Sequence, residues 1–369
     1  MKIAVLASGG VDSSVALRLL QEQGHDLTAF YIKIWLEDEL AFLGECPWEE
    51  DLSYVRAICD ARDIPLEVIS LQKEYWEQVV QYTIDEVRAG RTPNPDIHCN
   101  ARIKFGTFYQ KIDDSFEKVA TGHYARSVEE GGVAYLKTAV DTFKDQTYFL
   151  AHLCQEQLKR AMFPIGEYTK PEVRELASRF DLPNSRRKDS QGICFLGTIR
   201  YSEFIRHHLG EKSGDLIEFE SGRVMGRHPG FWYYTLGQRH GIGLGNGPWY
   251  VVRKDVHENV VYISRNYEAI ERLRACFYVE SPNWLSGFVP PLGQRFGCRI
   301  KIRHGEFAYK AEVLFEEESR ATVWLEQPDQ GLAPGQYAVF YQEDVCLGCA
   351  VIAEGIPSIS EEVSSFESV

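Results

Sequence analysis

Nine residues near the start of the chain, Leu6-Ala-Ser-Gly-Gly-Val-Asp-Ser-Ser14, restrict the possible fold more than any other stretch. The run before them, Lys2 to Ala7, is short and apolar, as in a buried parallel strand. Val11 to Gln23 has helical periodicity, with Val15, Leu19 and Leu20 on one face. Strand, glycine turn and helix together make an anion site. Gly9 and Gly10 leave the backbone N–H groups uncovered, and the helix N-terminus adds partial positive charge and unpaired donors. Ser8, Ser13 and Ser14 offer hydroxyl donors.

Asp12 stands inside this positive cradle and would repel a phosphate unless a cation lay between them. It therefore reads as a magnesium- or pyrophosphate-organising group. A Walker A loop carries a lysine here and this stretch has none. The bland alternative is a plain strand-to-helix bend permitted by two glycines. The complete SGGVDS run, placed after a strand, resembles the loop of the ATP pyrophosphatases. That resemblance implies cleavage of ATP between its α and β phosphates and adenylation of a substrate oxygen.

At 369 residues and 44% hydrophobic content, the chain can hold two or three domains with separate cores. No stretch approaches the ~20 apolar residues of a membrane span, and no signal segment precedes the first strand, so a soluble protein is expected, cytoplasmic or the mature form of an organelle protein. Nine cysteines without framework spacing fit reduced thiols in a reducing compartment. A formal net charge of -14 argues against non-specific nucleic-acid binding while leaving room for a local basic track.

Asp26 to Ile34 and Leu66 to Leu71 read as further strands, with a helix over Asp51 to Ala61 between them. This alternation predicts an α/β fold with a doubly wound parallel sheet. Ligands in such a sheet sit beyond the carboxyl ends of strands, so Ala7 to Asp12, the neighbourhood of Ile32, and Ala120 to Tyr124 should converge, with Gly122 and His123 lining the pocket. A capping or core-edge role is the alternative for His123.

Two loops carry informative thiols. Gly90 to Asn100, GRTPNPDIHCN, contains two prolines two positions apart and is expected to be a rigid loop, neither helix nor central strand, ending at Cys99. Asp96 lies three positions before that thiol and Arg102 and Lys104 follow, so an acid that can shuttle a proton and nearby cations flank it. A buried inert cysteine is the alternative. Arg186 to Phe195, RRKDSQGICF, joins a basic triplet and a glycine to Cys194, which suits a reactive thiolate on a mobile loop. The alternative is a surface charge run before a buried Cys-Phe pair. Lys144-Asp145-Gln146 reads locally as a solvated loop.

From about Tyr201 short strands with glycine turns replace the helix–strand alternation: Ser213 to Phe219, Trp232 to Thr235, Trp249 to Arg253 and Asn259 to Ser264. Tyr234 to Gly241, YTLGQRHG, has aromatic and guanidinium groups suited to RNA, or equally to a domain contact. Six β-like runs follow, Arg274–Val279, Arg299–His304, Tyr309–Phe315, Ala321–Glu326, Gln336–Tyr341 and Val345–Ile352, and predict an antiparallel barrel. Arg299, Lys301 and Arg303 alternate as a basic stripe on one strand face. Cys346 and Cys349 form a lone CxxC, short of the ligands a zinc or iron–sulfur site needs, and read as strand packing. Ser358 to Val369 is expected to be a disordered tail.

SGGVDSS, NPDIHCN, TGHY, KDQ, DSQGICF and YTLGQR, in this order over nearly the whole chain, closely resemble the tRNA-specific 2-thiouridylases. The resemblance implies an adenylating and thiolation domain at 1–200, a small mixed tRNA-contacting domain at 201–273, a barrel at 274–357 and a tail at 358–369. It implies a transferase that uses ATP and Mg2+ to adenylate the wobble uridine of tRNA at its C2 oxygen, and a sulfur-donor protein that delivers a persulfide. By the same resemblance, Cys194 carries the persulfide, Cys99 is the thiol that later forms a disulfide with it, and Asn94, Pro95 and Asp96 meet the target base. The ATP contacts fall on Leu6, Ala7, Ser8, Gly9, Gly10, Val11, Asp12, Ser13, Ile32 and Gly122. The tRNA contacts fall on His123, Lys144, Asp145, Gln146, Arg303, His304 and Gln336. Ile34 and His98 stand where many members have asparagine and an aliphatic residue, and His98 beside Cys99 is placed to alter that thiol. Other readings are a different adenylating ligase or amidotransferase of the same loop class, a cluster-dependent tRNA thiolase using Cys346 and Cys349, and a non-catalytic RNA-binding module.

Overall fold

The computed structural model describes residues 1–34, 48–188, 200–266, 275–329 and 331–355. Strand β1 (Lys2–Leu6) leads through the glycine turn into α1 (Val11–Glu22), and β2 (Asp26–Lys33), α2 (Trp48–Asp60) and β3 (Leu66–Ser70) follow. A helical run α3 spans Gln72–Tyr75, a π-helical Trp76–Val80 and Gln81–Arg88. A second run, α4, spans Pro95–His98, a π-helical Cys99–Thr107 and Phe108–Lys111. Next come β4 (Lys118–Ala120), the hairpin β5 (Ala125–Glu130) and β6 (Val133–Thr138), β7 (Ala161–Met162) and helix α5 (Lys170–Arg179).

The first sheet is parallel with order β3-β2-β1-β4-β7. Side-chain alternation along β1 explains its two covered faces. Ile3 and Val5 pack on one side with α1 and α5 residues such as Val15 and Val173, and Ala4 packs on the other with Val79, Ile103 and Phe108 from α3 and α4. The strand order reverses at β1, so the loops after β1 and β4 open onto one crevice, where the sequence predicts convergence.

Gly90 to Asn100 differs from the expected loop, because from Pro95 it is helix. Asn94 caps the helix, its Oδ1 accepting from the Ile97 N–H at 3.3 Å, and Pro95 occupies the first helical position, where an absent N–H costs nothing.

The central unit consists of helix α6 (Tyr201–Leu209) and a four-stranded sheet of β8 (Gly214–Glu218), β9 (Val224–His228), β10 (Tyr250–Asp255) and β11 (Val260–Ser264), in the order β10-β11-β8-β9. Trp232 to Thr235 is not the expected strand: Phe231–Tyr233 is a 3-10 turn, in which Phe231 is buried beside Tyr234 and Trp249 and the Trp232 and Tyr233 polar groups both donate to the Gly210 carbonyl.

The last six strands are β12 (Cys276–Trp284), β13 (Arg295–Lys301), β14 (Tyr309–Glu317), β15 (Arg320–Leu325), β16 (Tyr337–Gln342) and β17 (Val345–Ile352). All their pairings are antiparallel, and β12 pairs with both β15 and β17, which closes the barrel. Val279, Ile300, Val313, Val323 and Phe340 fill its core. The barrel is joined to the first domain by backbone pairing, since β17 also pairs with β6 at Val345–Lys137 and Cys346–Leu136. The hairpin that provides this strand turns at Gly131-Gly132, both at positive φ. Cys346 and Cys349 are buried in β17, and burial pushes both thiols well above their ordinary range. The predicted tail lies outside the described residues, as do residues 35–47.

Candidate active site

The glycine loop is shaped by contacts only glycine permits. Gly9 has φ +76°, and a Cβ there would lie 2.5 Å from the Asp51 carbonyl. A Cβ on Gly122, in the loop after β4, would lie 2.6 Å from the Ser13 nitrogen and 2.8 Å from the Asp12 carbonyl carbon, so this second loop rests on the start of α1. Ser13 Oγ accepts from Ser8 N at 3.2 Å and donates to the Gly10 carbonyl at 3.1 Å. The first intrahelical bond of α1 runs from Ser14 N to Gly10 O at 3.2 Å, which places the N–H groups of Val11, Asp12 and Ser13 at its open end. Leu6 ends β1, Ala7 donates to the Phe30 carbonyl at 2.9 Å, and half-buried Ile32 lies near the end of β2.

Lys170, Asn184 and Arg187, not singled out for this loop, complete it together with Tyr124 from the converging segment. Lys170, the first residue of α5, places its ammonium 2.7 and 2.9 Å from the two Asp12 oxygens, and Tyr124 donates its hydroxyl to Asp12 Oδ1 at 3.0 Å. The Lys170 N–H is in turn held by Asp141 at 2.8 Å. Asn184 Nδ2 donates to the Gly9 carbonyl at 2.8 Å and to Ser14 Oγ at 2.9 Å. Arg187 donates to the same carbonyl at 3.1 Å and ion-pairs with Asp51. The cation that Asp12 requires is thus an ammonium from 158 positions away in sequence. Asp12 also fits as the single carboxylate of a magnesium site completed by nucleotide phosphates, in keeping with the ion's use of one or two carboxylates beside phosphate oxygens. No cluster of three or more His, Cys, Asp or Glu with metal-holding geometry occurs among the described residues.

Cys99 sits where α4 changes from α to π winding and is 2% exposed, packed with Ala4, Phe30, Val80 and Ile103. His98 does not place a positive charge beside it. Its ring stacks on Tyr82 with centroids 3.8 Å apart, its Nε2 lies 2.8 Å from the Tyr337 hydroxyl, and burial, helped by the nearby Arg102 charge, pushes its pKa down to about 3. The ring is therefore neutral and turned toward the barrel. Asn94 and Pro95 are buried and Asp96 is half-buried. Cys194, with the rest of 189–199, lies outside the described residues.

The expected tRNA contacts divide into two kinds. His123 Nδ1 is 2.8 Å from Thr121 Oγ1, its ring lies between Phe105 and Phe163, and burial holds its pKa well below the ordinary histidine range. Half-buried Lys144, Gln146, whose Oε1 accepts from Tyr124 N at 3.0 Å, and exposed His304, tilted over Phe149 at 4.6 Å, retain surface. Asp145 is not part of a solvated loop: at 2% exposed it accepts from Lys301 Nζ at 2.8 Å and from Thr147. The basic stripe dissolves for the same reason. β13 ends at Lys301, which is buried in this ion pair, while exposed Arg303 lies beyond the strand and binds Asp329 in a two-pronged contact at 2.9 and 2.6 Å. Gln336 Nε2 donates to Thr92 O at 3.0 Å and Pro93 O at 2.9 Å. In the YTLGQRHG segment, Tyr234 is buried, and Arg239 and His240 line a shallow cavity of about 470 Å³ with Leu244 and Trp249.

The buried Lys301–Asp145 pair joins barrel to first domain, and removing one partner strands a charge. Lys301→Met is expected to lower unfolding free energy by about 3–5 kcal/mol. Lys310→Met, which breaks an exposed 3.8 Å pair with Glu326, should cost less than about 1 kcal/mol. Urea titration of the two variants checks this, and equal effects would show that the interdomain pair is solvated.

Residues 1–198 match the family model described as tRNA methyl transferase HUP domain, 202–265 its PRC-barrel domain, and 274–352 the aminomethyltransferase beta-barrel domain. The tRNA-specific 2-thiouridylase MnmA 1 of Bacteroides thetaiotaomicron is 45% identical over 95% of this chain and 99% of its own length. MnmA 2 of Bacteroides fragilis is 46% identical over 95% and 100%, and MnmA of Porphyromonas gingivalis 44% identical over 96% and 100%. A solved 4-thiouridine synthetase–RNA complex with bound ATP covers 52% of this chain and 44% of its own at 16% identity, with a TM-score of 0.33, too loose a likeness to carry an argument.

Proposed function

The chain belongs to the tRNA-specific 2-thiouridylases, and on that premise we propose that it is a tRNA-uridine 2-sulfurtransferase, adenylating the C2 oxygen of the wobble uridine and replacing that oxygen with sulfur carried on Cys194. ATP supplies the adenylyl group and pyrophosphate leaves from the cradle formed by the α1 N-terminus, Lys170 and Asp12. The terminal sulfur of a Cys194 persulfide attacks C2 and AMP departs with the former O2, leaving the base joined to Cys194 through a sulfur–sulfur bond. The Cys99 thiolate then attacks the Cys194 sulfur. That bond breaks, its electron pair goes to the departing sulfur as the C2 thiocarbonyl, and a Cys99–Cys194 disulfide remains for an external thiol to reduce. Magnesium, when bound, would offset phosphate charge beside Asp12. A donor protein loads the persulfide, and the reaction takes place in the cytoplasm.

One observation carries the reading. Asn184 and Arg187 both bind the Gly9 carbonyl, so the segment leading to Cys194 starts on the phosphate loop. Seven residues from Arg187 to Cys194 reach at most ~25 Å, which keeps the sulfur carrier within range of the activated base. The family model's description speaks of methyl transfer, but the thiols of Cys99, in helix α4, and Cys194 suit sulfur exchange, and methyl transfer gives no use for a pyrophosphate cradle. Incubation with ATP, a persulfide donor, a reducing thiol and tRNA followed by nucleoside analysis tests the proposal: 2-thiouridine with stoichiometric AMP is expected, and a methylated uridine or no ATP use would exclude it.

A further inference from the structure

The turn Thr92-Pro93-Asn94-Pro95 has a shortage of donors. Pro93 and Pro95 have no N–H, so the carbonyls around them must be satisfied from elsewhere. The barrel provides the partners. Both Gln336 donor contacts go to this turn, to Thr92 O at 3.0 Å and Pro93 O at 2.9 Å, and its Oε1 accepts from Asn94 Nδ2 at 3.4 Å. The Thr92 N–H donates to the Pro334 carbonyl at 2.8 Å. Gly335 permits this approach, since a Cβ there would be 2.9 Å from Arg91 Cβ and 3.0 Å from Thr92 O. One residue further, the Tyr337 hydroxyl meets His98 at 2.8 Å. Barrel side chains therefore grip α4 at its cap and one residue before Cys99.

We propose that Gln336, backed by Tyr337, is a positioning residue that holds the Asn94 cap and through it the helix carrying Cys99, so that the C-terminal barrel sets how far the Cys99 thiol is covered. The resemblance assigns Gln336 to tRNA; the hydrogen bonds assign its amide to the turn. Cys99 is 2% exposed, so an outside reagent reaches it only when the start of α4 opens locally, and the free energy of that opening includes the Gln336 and Tyr337 bonds. The inference uses the Cys99 role proposed above for its catalytic consequence, but the burial of the thiol is measured independently of any reaction.

The test is the rate at which N-ethylmaleimide modifies each cysteine of the full chain, read by peptide mass spectrometry, for wild type, Gln336→Ala and Tyr337→Phe. Exposed Cys154 reports intrinsic reactivity and buried Cys59 reports global unfolding. Gln336→Ala should speed Cys99 modification roughly tenfold, and Tyr337→Phe severalfold, with Cys154 and Cys59 unchanged. In the same variants kcat for thiolation should fall, while the Kd for tRNA moves less than about threefold. Should Gln336→Ala unfold, Cys59 will react too, and Tyr337→Phe, which keeps the ring, decides alone. Unchanged Cys99 modification in the folded variants overturns the proposal, as does a tRNA affinity loss beyond tenfold without faster Cys99 modification. A wild type that makes no 2-thiouridine removes the proposed function and leaves the labelling result standing.

Discussion

Asp12→Asn is expected to slow tRNA-dependent release of AMP and pyrophosphate by roughly 10²–10³-fold, with a smaller change in the KM for ATP. The amide keeps the shape but removes the charge that fixes the Lys170 ammonium at 2.7 Å and that a magnesium ion would use. Lys170→Met removes the other half of the same unit. Because the two act through one contact, the double variant should lose little more than the worse single one. Pyrophosphate release under saturating tRNA measures all three. Wild-type AMP formation by Asp12→Asn would take the glycine loop out of the reaction, and fully additive losses would separate Lys170 from it.

Cys99→Ser should show a different defect. Adenylation does not use its thiol, so AMP release in a first turnover should match wild type within about twofold. Product release needs a second sulfur to take the bond from Cys194, and steady-state turnover should fall by at least about 10³-fold, serine being a far weaker nucleophile toward sulfur. Denaturing gels and mass spectrometry should find tRNA joined to the protein through a reducible bond. Sustained turnover by this variant would assign resolution to another thiol.

How much of this was legible in sequence depended on how local the cause was. The strand, glycine turn and helix at Lys2 to Glu22 announce themselves because every determinant lies within about twenty residues, and the barrel strands show through alternation. Helix α4 was misread although Asn94 and Pro95 are cap and first-position signals, because two prolines close together outweighed them as breakers. The Gly131-Gly132 turn between β5 and β6 was a usable hairpin signal. Alternation correctly places Lys301 on a strand face but is silent on whether another domain covers that face, so a buried ion pair looked like a basic stripe. Thr169, Pro171 and Glu172 mark the start of α5 as a capping box, but nothing in the sequence ties Lys170 to Asp12, and only packing of α5 beside α1 brings it there. The same holds for Gln336 against Thr92 and Pro93.

If sulfur is carried by one residue and the base is activated by others, the two steps can be separated by substitution. The most direct measurement is site-resolved mass spectrometry after loading with a persulfide donor, paired with pyrophosphate and AMP release from ATP and tRNA, on wild type and Cys194→Ser. Wild type should carry an adduct of about 32 Da, one sulfur atom, on Cys194 and release both products, whereas Cys194→Ser should show no adduct, near-normal first-turnover pyrophosphate release and little AMP, because AMP leaves only when the persulfide sulfur attacks C2. An adduct on Cys99 or Cys349 in place of Cys194, or loss of pyrophosphate release together with the adduct in Cys194→Ser, would contradict this assignment.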